Sequence, residues 1–254
     1  FFTLPEDGRI YRDWKEGGHG DTNLFKAITQ SSNTYFFDLA YRSDINQLNK
    51  HLSSLGFGDK ACIDCFEEDQ VFVPEPSWKM NKHNFGWFKG DTVNMGVGQG
   101  YLVSTPIQLA KYAYIIANKG KFSDLSLKKD LVKSEKSIEF NKFSNDDWFK
   151  LHESMVNVIE GNTGTARRLR EKKNYIVAAK TGTAELVSGD NREQYSETRL
   201  DDSLRDHALI IAFGPMPNPR YAVSVVVENG ESGGSVAGPV AISVLNSLIQ
   251  EWDI

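Results

Sequence analysis

Two apolar runs near the end of the chain are joined by a stretch that allows only antiparallel pairing. The runs cover residues 207–213 and 221–228, and residues 215–219 supply the turn between them. Both runs are rich in the β-branched and aromatic residues that are typical of strands. Parallel neighbours would need a crossover of about a dozen residues or more, so the sequence predicts two antiparallel strands here.

Before these strands the pattern is mainly helical. Residues 22–41 and 45–55 carry apolar side chains at helical spacing, and one helix is predicted over each range. Thr105, Pro106 and Gln108 form a helix-start signal ahead of residues 109–118. Ser144 and Asp147 form a capping box ahead of another helix. Its predicted buried face comprises Trp148, Leu151, Met155, Val158 and Ile159.

The last part of the chain predicts a strand followed, after the antiparallel pair, by a final helix. Residues 175–186 form the predicted strand at the edge of a cleft, and residues 236–252 form the helix that packs on the sheet. Its predicted apolar face consists of Val240, Val244, Leu245, Leu248, Ile249 and Trp252. The fold class is therefore α/β, or more narrowly α+β, with a central antiparallel sheet flanked by helices. A mostly helical part is expected over about residues 20–170 and a sheet-forming part over about residues 171–254.

Composition excludes several kinds of protein. With 254 residues and 40% hydrophobic residues, the chain can bury a sizeable core. A net charge of −5 provides no cationic surface of the kind that binds phosphate backbones, so no nucleic-acid partner is expected. The apolar runs have the length of strands and are too short for membrane spans. Because the chain starts without Met or a basic leader, it is expected to be part of a longer protein.

The two cysteines form a single C-x-x-C pair, Cys62 and Cys65. Without a second pair they cannot make a four-thiolate zinc site. Nearby glycines and acidic residues indicate a loop rather than the strand-to-helix junction of a thioredoxin-like motif. Two loop thiols and a local disulfide both remain open.

Lys180, Thr181, Gly182 and Thr183 directly follow the apolar stretch at residues 175–179. A cation, two hydroxyls and a permissive glycine at a strand edge can bind a carboxylate and leave backbone N–H groups free to hold an oxyanion. These residue types are common, and the same four letters also occur in ordinary strands. The motif needs support from the rest of the sequence.

Ser31, Ser32 and Asn33 lie inside the predicted helix at residues 22–41. Serine and asparagine compete with the helical backbone for hydrogen bonds, so they are poor helix formers unless they are exposed or used. Alone, this triplet indicates a polar helix face.

Taken together, the two motifs resemble the S-x-N and K-T-G elements of the penicillin-recognising serine acyl transferases, in the same order. Across nearly the whole chain, the sequence is similar to the elongation-type class B penicillin-binding proteins of the penicillin-binding protein 2 kind. The other segments that carry this resemblance are Tyr11-Arg12-Asp13-Trp14, Gly18-His19-Gly20, residues 31–41, Gly96-Val97-Gly98-Gln99-Gly100, Thr105-Pro106-Ile107-Gln108, Gly164-Thr165-Ala166 and Asp206-His207.

The resemblance implies a peptidoglycan D,D-transpeptidase with a transpeptidase or β-lactamase-like fold. In such enzymes a serine attacks the D-Ala-D-Ala amide of a stem peptide, and an amine of a neighbouring peptide resolves the acyl-enzyme. It implies catalytic roles for Ser31, Asn33 and Lys180, with Ser31 relaying a proton and Asn33 holding the acyl-side amide. Thr181, Gly182 and Thr183 would bind substrate.

The same resemblance implies where the complete protein works and with what. Its partners would be peptidoglycan stem peptides, β-lactam antibiotics and a glycan-polymerising protein of the elongation machinery. The location would be the periplasm, with anchorage to the inner membrane through a segment outside this chain.

The nucleophile of the family's S-x-x-K element is expected to precede Phe1, because residues 1–30 contain no serine. Ser126 and Lys129 match the S-x-x-K spelling, but they follow the S-x-N motif and lie in a charged stretch. That match is interpreted as a coincidence. The chain by itself is therefore expected to be inactive in acyl transfer.

A metal is the remaining cofactor question, and no cofactor is the main expectation. Relatives place zinc between an upstream Asp, an Asp and a His that correspond to Asp13 and His19, and a Cys where this chain has Ser32. A hydroxyl is a poor Zn²⁺ ligand, so Asp13 and His19 are interpreted as hydrogen-bonded loop residues, with zinc as the alternative. Gly98, Gln99 and Gly100 are predicted to form a tight turn with a structural role.

Two other functions remain open from the sequence. The first is a D,D-carboxypeptidase or β-lactamase of the same superfamily, in which water resolves the acyl-enzyme. The second is a non-catalytic β-lactam sensor or scaffold that keeps the cleft without turnover.

Overall fold

The computed structural model describes residues 1–128, 130–131, 135–138, 143–186 and 202–252, with the side chains of residues 251 and 252 outside the description. The α-helices are α1 (Leu24–Gln30), α2 (Asn33–Arg42), α3 (Ile45–Ser54), α4 (Pro76–His83), α5 (Lys89–Met95), α6 (Pro106–Ala117), α7 (Asn145–Glu160) and α8 (Gly238–Trp252). The strands are β1 (Phe2–Thr3), β2 (Ile10–Tyr11), β3 (Lys121–Phe122), β4 (Lys136–Ser137), β5 (Ala178–Ala184), β6 (His207–Gly214) and β7 (Tyr221–Val227).

The main sheet has three strands in the order β5-β6-β7, and both pairings are antiparallel. The register pairs Lys180 with Ile211 and Ala208 with Val227. The predicted antiparallel organisation is thus confirmed. Within the described residues β5 is an outer strand of this sheet, which leaves one of its sides open.

Helices cover both faces of the sheet, as the side chains of β6 show. Its alternate residues Ala208, Ile210 and Ala212 belong to one core cluster, which also contains residues of α7 and α8. Phe213 belongs to a second cluster with Ile116 of α6, and Ile211 packs against it. Because successive side chains of a strand point to opposite faces, α6 and α8 bury the two sides of one strand.

The predicted helix over residues 22–41 is wrong as a single element. It is divided into α1 and α2 at Ser31, which has φ +56° and ψ +49°. The Ser32 N–H donates to Ala27 O at 2.9 Å and closes the end of α1 in the manner of a left-handed helix terminus. The helix therefore ends at Ser31 although the apolar periodicity continues across this position.

One strand boundary and one helix face also differ from the predictions. The strand predicted to start at residue 175 starts at Ala178. On α8, Val240 and Val244 were predicted to be buried but are exposed, whereas Ala241, Ile242 and Leu245 form the buried face. Small alanines, which carry little weight in an apolar pattern, let the helix approach the sheet on the other side. The predicted burial of the Trp252 side chain falls outside the described residues.

The predicted helices at residues 45–55, at 109–118 and after Ser144 are present, whereas α4 and α5 were not predicted. Thr105 caps α6 and Ser144 caps α7, and both helices start with a capping box. Among the described residues, no helix has the length and the apolar character needed to cross a membrane.

Candidate active site

The turn between α1 and α2 presents the Ser31 side chain. Ser31 takes the left-handed conformation that ends α1, and α2 starts two residues later at Asn33. A non-glycine residue in this conformation costs roughly 1–2 kcal/mol, so the surrounding structure must hold it there. We call residues 31–33 the serine elbow.

Residues 13–19 hold the elbow through side-chain hydrogen bonds. Trp14 Nε1 donates to Ser31 O at 2.8 Å. The Asp13 carboxylate accepts from the Thr34 N–H at 2.9 Å and from Ser32 Oγ at 3.1 Å. Since Ser32 makes no side-chain cap of its own, Asp13 serves as the cap for the start of α2.

Asp13 also pairs with His19, and both side chains are only 2% exposed. His19 Nε2 lies 3.0 Å from Asp13 Oδ1, and its Nδ1 lies 3.0 Å from Gln30 Oε1. Burial alone would raise the pKa of Asp13, but hydrogen bonds from Thr34 and His19 outweigh it and hold the pKa below its ordinary value. Asp13 is therefore a buried carboxylate with several partners.

Lys180 reaches the elbow from β5. Its Nζ donates to Ser31 Oγ at 2.7 Å and to Thr181 O at 2.7 Å. Two motifs 149 positions apart in sequence thus meet at one pair of atoms. Because Ser31 Oγ accepts from Lys180, its own O–H is left to donate to another group.

The Lys180 ammonium holds its proton less tightly than an ordinary lysine does. Burial lowers the pKa of Lys180 from 10.5 to about 8, because a cation loses hydration in this position. A lysine with a pKa near neutrality is common at functional sites. At pH 7 the group is still mostly charged, so it can serve as the cation of the site.

The three residues after Lys180 lie on the same strand but engage different groups. Thr181 Oγ1 is 2.7 Å from Thr165 Oγ1, so the first hydroxyl is tied to the loop that follows α7. The exposed Thr183 donates to Glu231 O at 3.4 Å, a long and weak bond. Of the two hydroxyls, that of Thr183 is therefore the more available to a ligand.

Close backbone packing supports β5 from behind. A Cβ added to Gly233 would lie 2.2 Å from Leu209 O and 2.6 Å from Gly182 O. A Cβ added to Gly234 would lie 2.5 Å from Thr165 O. Contacts this short exclude any side chain, so the turn before α8 sits directly on the strand.

The Gly98–Gly100 turn reaches the outer side of β5. Gly98 and Gly100 have φ of +77° and +75°, which agrees with the predicted tight turn. The Gln99 side chain donates from Nε2 to Thr183 O at 2.9 Å. The sequence predicted only a structural role for Gln99 and did not predict this contact with β5.

The competing S-x-x-K match has a different environment. Ser126 Oγ donates to Asp64 Oδ2 at 2.9 Å, and Asp64 also accepts from the Leu127 and Lys128 N–H groups. This serine therefore closes a loop, whereas Lys129 lies outside the described residues. The geometry agrees with a coincidental match.

The candidate zinc ligands Asp13 and His19 lie beside the serine elbow. Asp13 and His19 supply two ligand types, and the third group beside them is the Ser32 hydroxyl, which Zn²⁺ binds poorly. Within the described ranges, the one group of three metal-ligand side chains is Cys62, Asp64 and Cys65. Cys62 and Cys65 form a disulfide, which answers the question that the sequence left open and removes both thiolates. These residues alone do not fit zinc.

Sequence reasoning missed the groups that position the site. Trp14 and Thr165 were noticed only as parts of a family resemblance, and Glu231 was not singled out. Their contacts join segments far apart in sequence, and no local pattern encodes such distances. The glycines on both sides of Gln99 could have indicated that a tight turn projects this side chain toward another part of the fold.

Comparison with known proteins extends these observations. Residues 2–246 match the family model described as the penicillin binding protein transpeptidase domain. The chain is 36% identical over 259 residues to the peptidoglycan D,D-transpeptidase MrdA of Haemophilus influenzae, which covers 99% of this chain and 40% of that protein. The chain therefore spans about two fifths of the length of this relative.

Solved structures agree with the family match. A structure of Pseudomonas aeruginosa PBP2 in complex with WCK 5153 aligns with a TM-score of 0.85 and 35% identity, over 98% of this chain and 54% of that one. A complex of PBP2 with MreC from Helicobacter pylori aligns with a TM-score of 0.84 and 32% identity, over 96% of this chain and 43% of that one.

Proposed function

Because this chain belongs to the penicillin-binding protein transpeptidase family, in its penicillin-binding protein 2 branch, we propose that the complete protein is a peptidoglycan D,D-transpeptidase. It cross-links stem peptides during cell elongation through a serine acyl-enzyme that β-lactams trap. The observation that supports this most directly is the 2.7 Å contact between Lys180 Nζ and Ser31 Oγ beside the open side of β5.

The proposed chemistry assigns each side chain a separate task. The nucleophilic serine and its lysine come from the part of the protein that precedes this chain. Lys180 fixes the Ser31 oxygen, and the free O–H of Ser31 relays a proton between that lysine and the leaving amine. Asn33, at the start of α2, donates to the acyl-side amide of the substrate.

Substrate recognition is proposed to use the rest of β5. The carboxylate of the D-Ala-D-Ala donor takes a charge from Lys180 and hydrogen bonds from Thr181 and Thr183. Thr181 can donate to the carboxylate while it keeps its contact with Thr165, provided that Thr165 Oγ1 is the donor of that shared hydrogen bond. Gly182 keeps the approach to the strand open, and outward backbone N–H groups hold the oxyanion.

The wider setting is also proposed from the family. The complete protein is anchored in the inner membrane and acts in the periplasm with a glycan-polymerising elongation partner. The PBP2–MreC complex of Helicobacter pylori supports the view that a protein of this branch works in an assembly with other proteins. Serine acyl transfer needs a hydroxyl, a base and hydrogen-bond donors, so the proposal includes no cofactor, and Asp13 and His19 act through hydrogen bonds.

The test is fluorescent-penicillin labelling of the full-length protein, compared with its Lys180→Met variant. Loss of the cation should slow labelling about ten- to a hundredfold, as expected for a charge-assisted hydrogen bond. Lys172→Met is the matched control, because it removes the same charge from an exposed lysine. A thermal melt of each variant separates misfolding from lost chemistry.

A product assay with stem peptides distinguishes the remaining functions. Cross-linked product in the presence of an amine acceptor supports the transpeptidase. Release of D-alanine without cross-links would identify a carboxypeptidase, and stable labelling without turnover would identify a sensor. If the full-length protein is not labelled at all, the proposed function is wrong.

A further inference from the structure

The Gln99 carboxamide makes a hydrogen bond with the strand that carries the site. Its Nε2 donates to Thr183 O at 2.9 Å, across 84 positions of sequence. The bond joins the loop after α5 to the exposed end of β5. It lies three residues along the strand from Lys180.

The backbone that presents Gln99 is fixed. The Gln99 N–H donates to Asn94 O at 3.0 Å, and the glycines on either side take the left-handed conformation. A Cβ added to Gly96 would lie 2.3 Å from the Ala40 Cβ, so this loop rests directly on α2. Consequently, a ligand that displaces Gln99 from β5 is expected to change the torsions of this side chain rather than the path of the loop.

The carbonyl that Gln99 occupies belongs to the open side of β5. Thr181 O and Thr183 O both accept hydrogen bonds from side chains, as expected for alternate carbonyls that face away from β6. An extended peptide that adds to a strand edge hydrogen-bonds to this same series of backbone groups. A ligand amide N–H and Gln99 would therefore compete for Thr183 O.

We propose that Gln99 is a specificity-determining residue that occupies, in the free protein, the hydrogen-bonding position that an acyl donor's amide takes over on binding. A carboxamide has the same donor and acceptor groups as a peptide bond, so it satisfies the strand until a peptide-like ligand arrives. This inference deepens the proposed function and rests on it.

The consequence is a preference that depends on ligand chemistry. A donor with an amide N–H at this position must displace Gln99, and the lost Gln99–Thr183 bond reduces its net gain. A donor without that amide leaves Gln99 in place. Removal of the carboxamide should therefore help the first kind of ligand and leave the second unaffected.

The experiment measures second-order acylation rates of the full-length protein with two β-lactams. One is benzylpenicillin, which carries an acylamino side chain, and the other is a penem with a hydroxyethyl group in its place. Gln99→Ala should react about two- to tenfold faster with benzylpenicillin and at an unchanged rate with the penem, as expected for one neutral hydrogen bond. Gln47→Ala, at an exposed glutamine of α3, should change neither rate.

A second variant keeps the test valid if Gln99→Ala disturbs the loop. Gln99→Met preserves the length of the side chain but loses the donor, so it should show the same selective increase. An equal change with both ligands, or slower acylation by benzylpenicillin alone, overturns the inference while the proposed function stands. No acylation of the unmodified protein by either ligand would overturn both.

Discussion

The two halves of the site, the serine elbow and strand β5, are held in place by different kinds of force. The elbow depends on side chains: Trp14 donates to Ser31 O, and Asp13 accepts from Ser32 Oγ and from the N–H of the adjacent Thr34, while Ser31 is in the left-handed conformation. β5 depends on its backbone, through the ladder with β6 and through Gly233, which packs against it without a side chain. The elbow should therefore be sensitive to lost polar groups, and the strand to added atoms.

This difference explains how a polar site can be both exact in geometry and open to ligands. A strand fixed from behind and from one side keeps its other side available. An elbow has no ladder of its own, so buried charges and hydrogen bonds must supply its rigidity.

Gly233→Ala should be the most damaging change, because the new methyl group would meet Leu209 O at 2.2 Å. We expect a loss of about 3 kcal/mol in the free energy of unfolding, measured by denaturant titration. Gly86→Ala is the matched control, since a Cβ there meets nothing within 4 Å. Equal stabilities of the two variants would show that the strand is not supported from behind.

Asp13→Ala should destabilise the elbow by about 2–3 kcal/mol, because it leaves the part-buried Thr34 N–H and the Nε2 of His19 without their partner. Penicillin labelling of the full-length protein should fall as well, since Ser31 loses its support. Asp13→Asn should recover part of both, as its amide oxygen can still accept from Thr34. Asp69→Ala, at an exposed aspartate, is the control. Loss of stability with normal labelling would limit Asp13 to a structural role.

Thr183→Val should reduce penicillin labelling and stem-peptide turnover together, by about ten- to a hundredfold. Both ligands present a carboxylate to the Thr183 hydroxyl, whose 3.4 Å bond to Glu231 O is weak. The fold should be nearly unaffected, because valine keeps the β-branched shape that suits a strand. If a folded variant is labelled at the normal rate, Thr183 does not bind the carboxylate.

The pH dependence of labelling should reveal the state of Lys180. Above pH about 8 the ammonium loses its proton, so the labelling rate should fall by up to about tenfold per pH unit. Lys180→Arg should move this decline to higher pH because guanidinium stays charged. A rate that is flat from pH 7 to 10 in the unmodified protein would exclude a charged Lys180 from ligand binding.

Deprotonation of Lys180 should affect the stability of the fold in the opposite sense to ligand labelling. Its folded pKa of about 8 lies below the ordinary 10.5, so between these values the unfolded chain binds more protons than the folded one. By linkage, the contribution of Lys180 to the free energy of unfolding rises with pH across this window. Ligand recognition and fold stability should therefore change in opposite directions.

Much of the fold could be predicted from short-range signals. The capping residues Thr105 and Ser144 identified two helices, and the short turn at residues 215–219 fixed the antiparallel pairing. The boundary at Ser31 could not be predicted, because apolar side chains on both sides continue the helical spacing. Hydrogen bonds with the distant Asp13 and Trp14 hold this left-handed turn, together with the Ser32 N–H bond that ends α1.

In the candidate site, too, the residues in local motifs could be predicted and those that act through distant contacts could not. Ser31 and Lys180 were found because their local motifs resemble a known family, and the structure places them in contact. Gln99 and Thr165 bind β5 through loops that approach it from other parts of the fold. Their contacts depend on tertiary packing, which no local sequence pattern records.

The left-handed conformation of Ser31 also bears on how this protein could be engineered. Glycine occupies such helix ends without the backbone cost of roughly 1–2 kcal/mol that serine incurs. On the backbone contribution alone, a selection for thermostability would favour Ser31→Gly and thereby remove the hydroxyl that Lys180 binds. Stability and activity therefore make opposing demands at this position, and a stabilised variant of this protein should keep Ser31 fixed during its design.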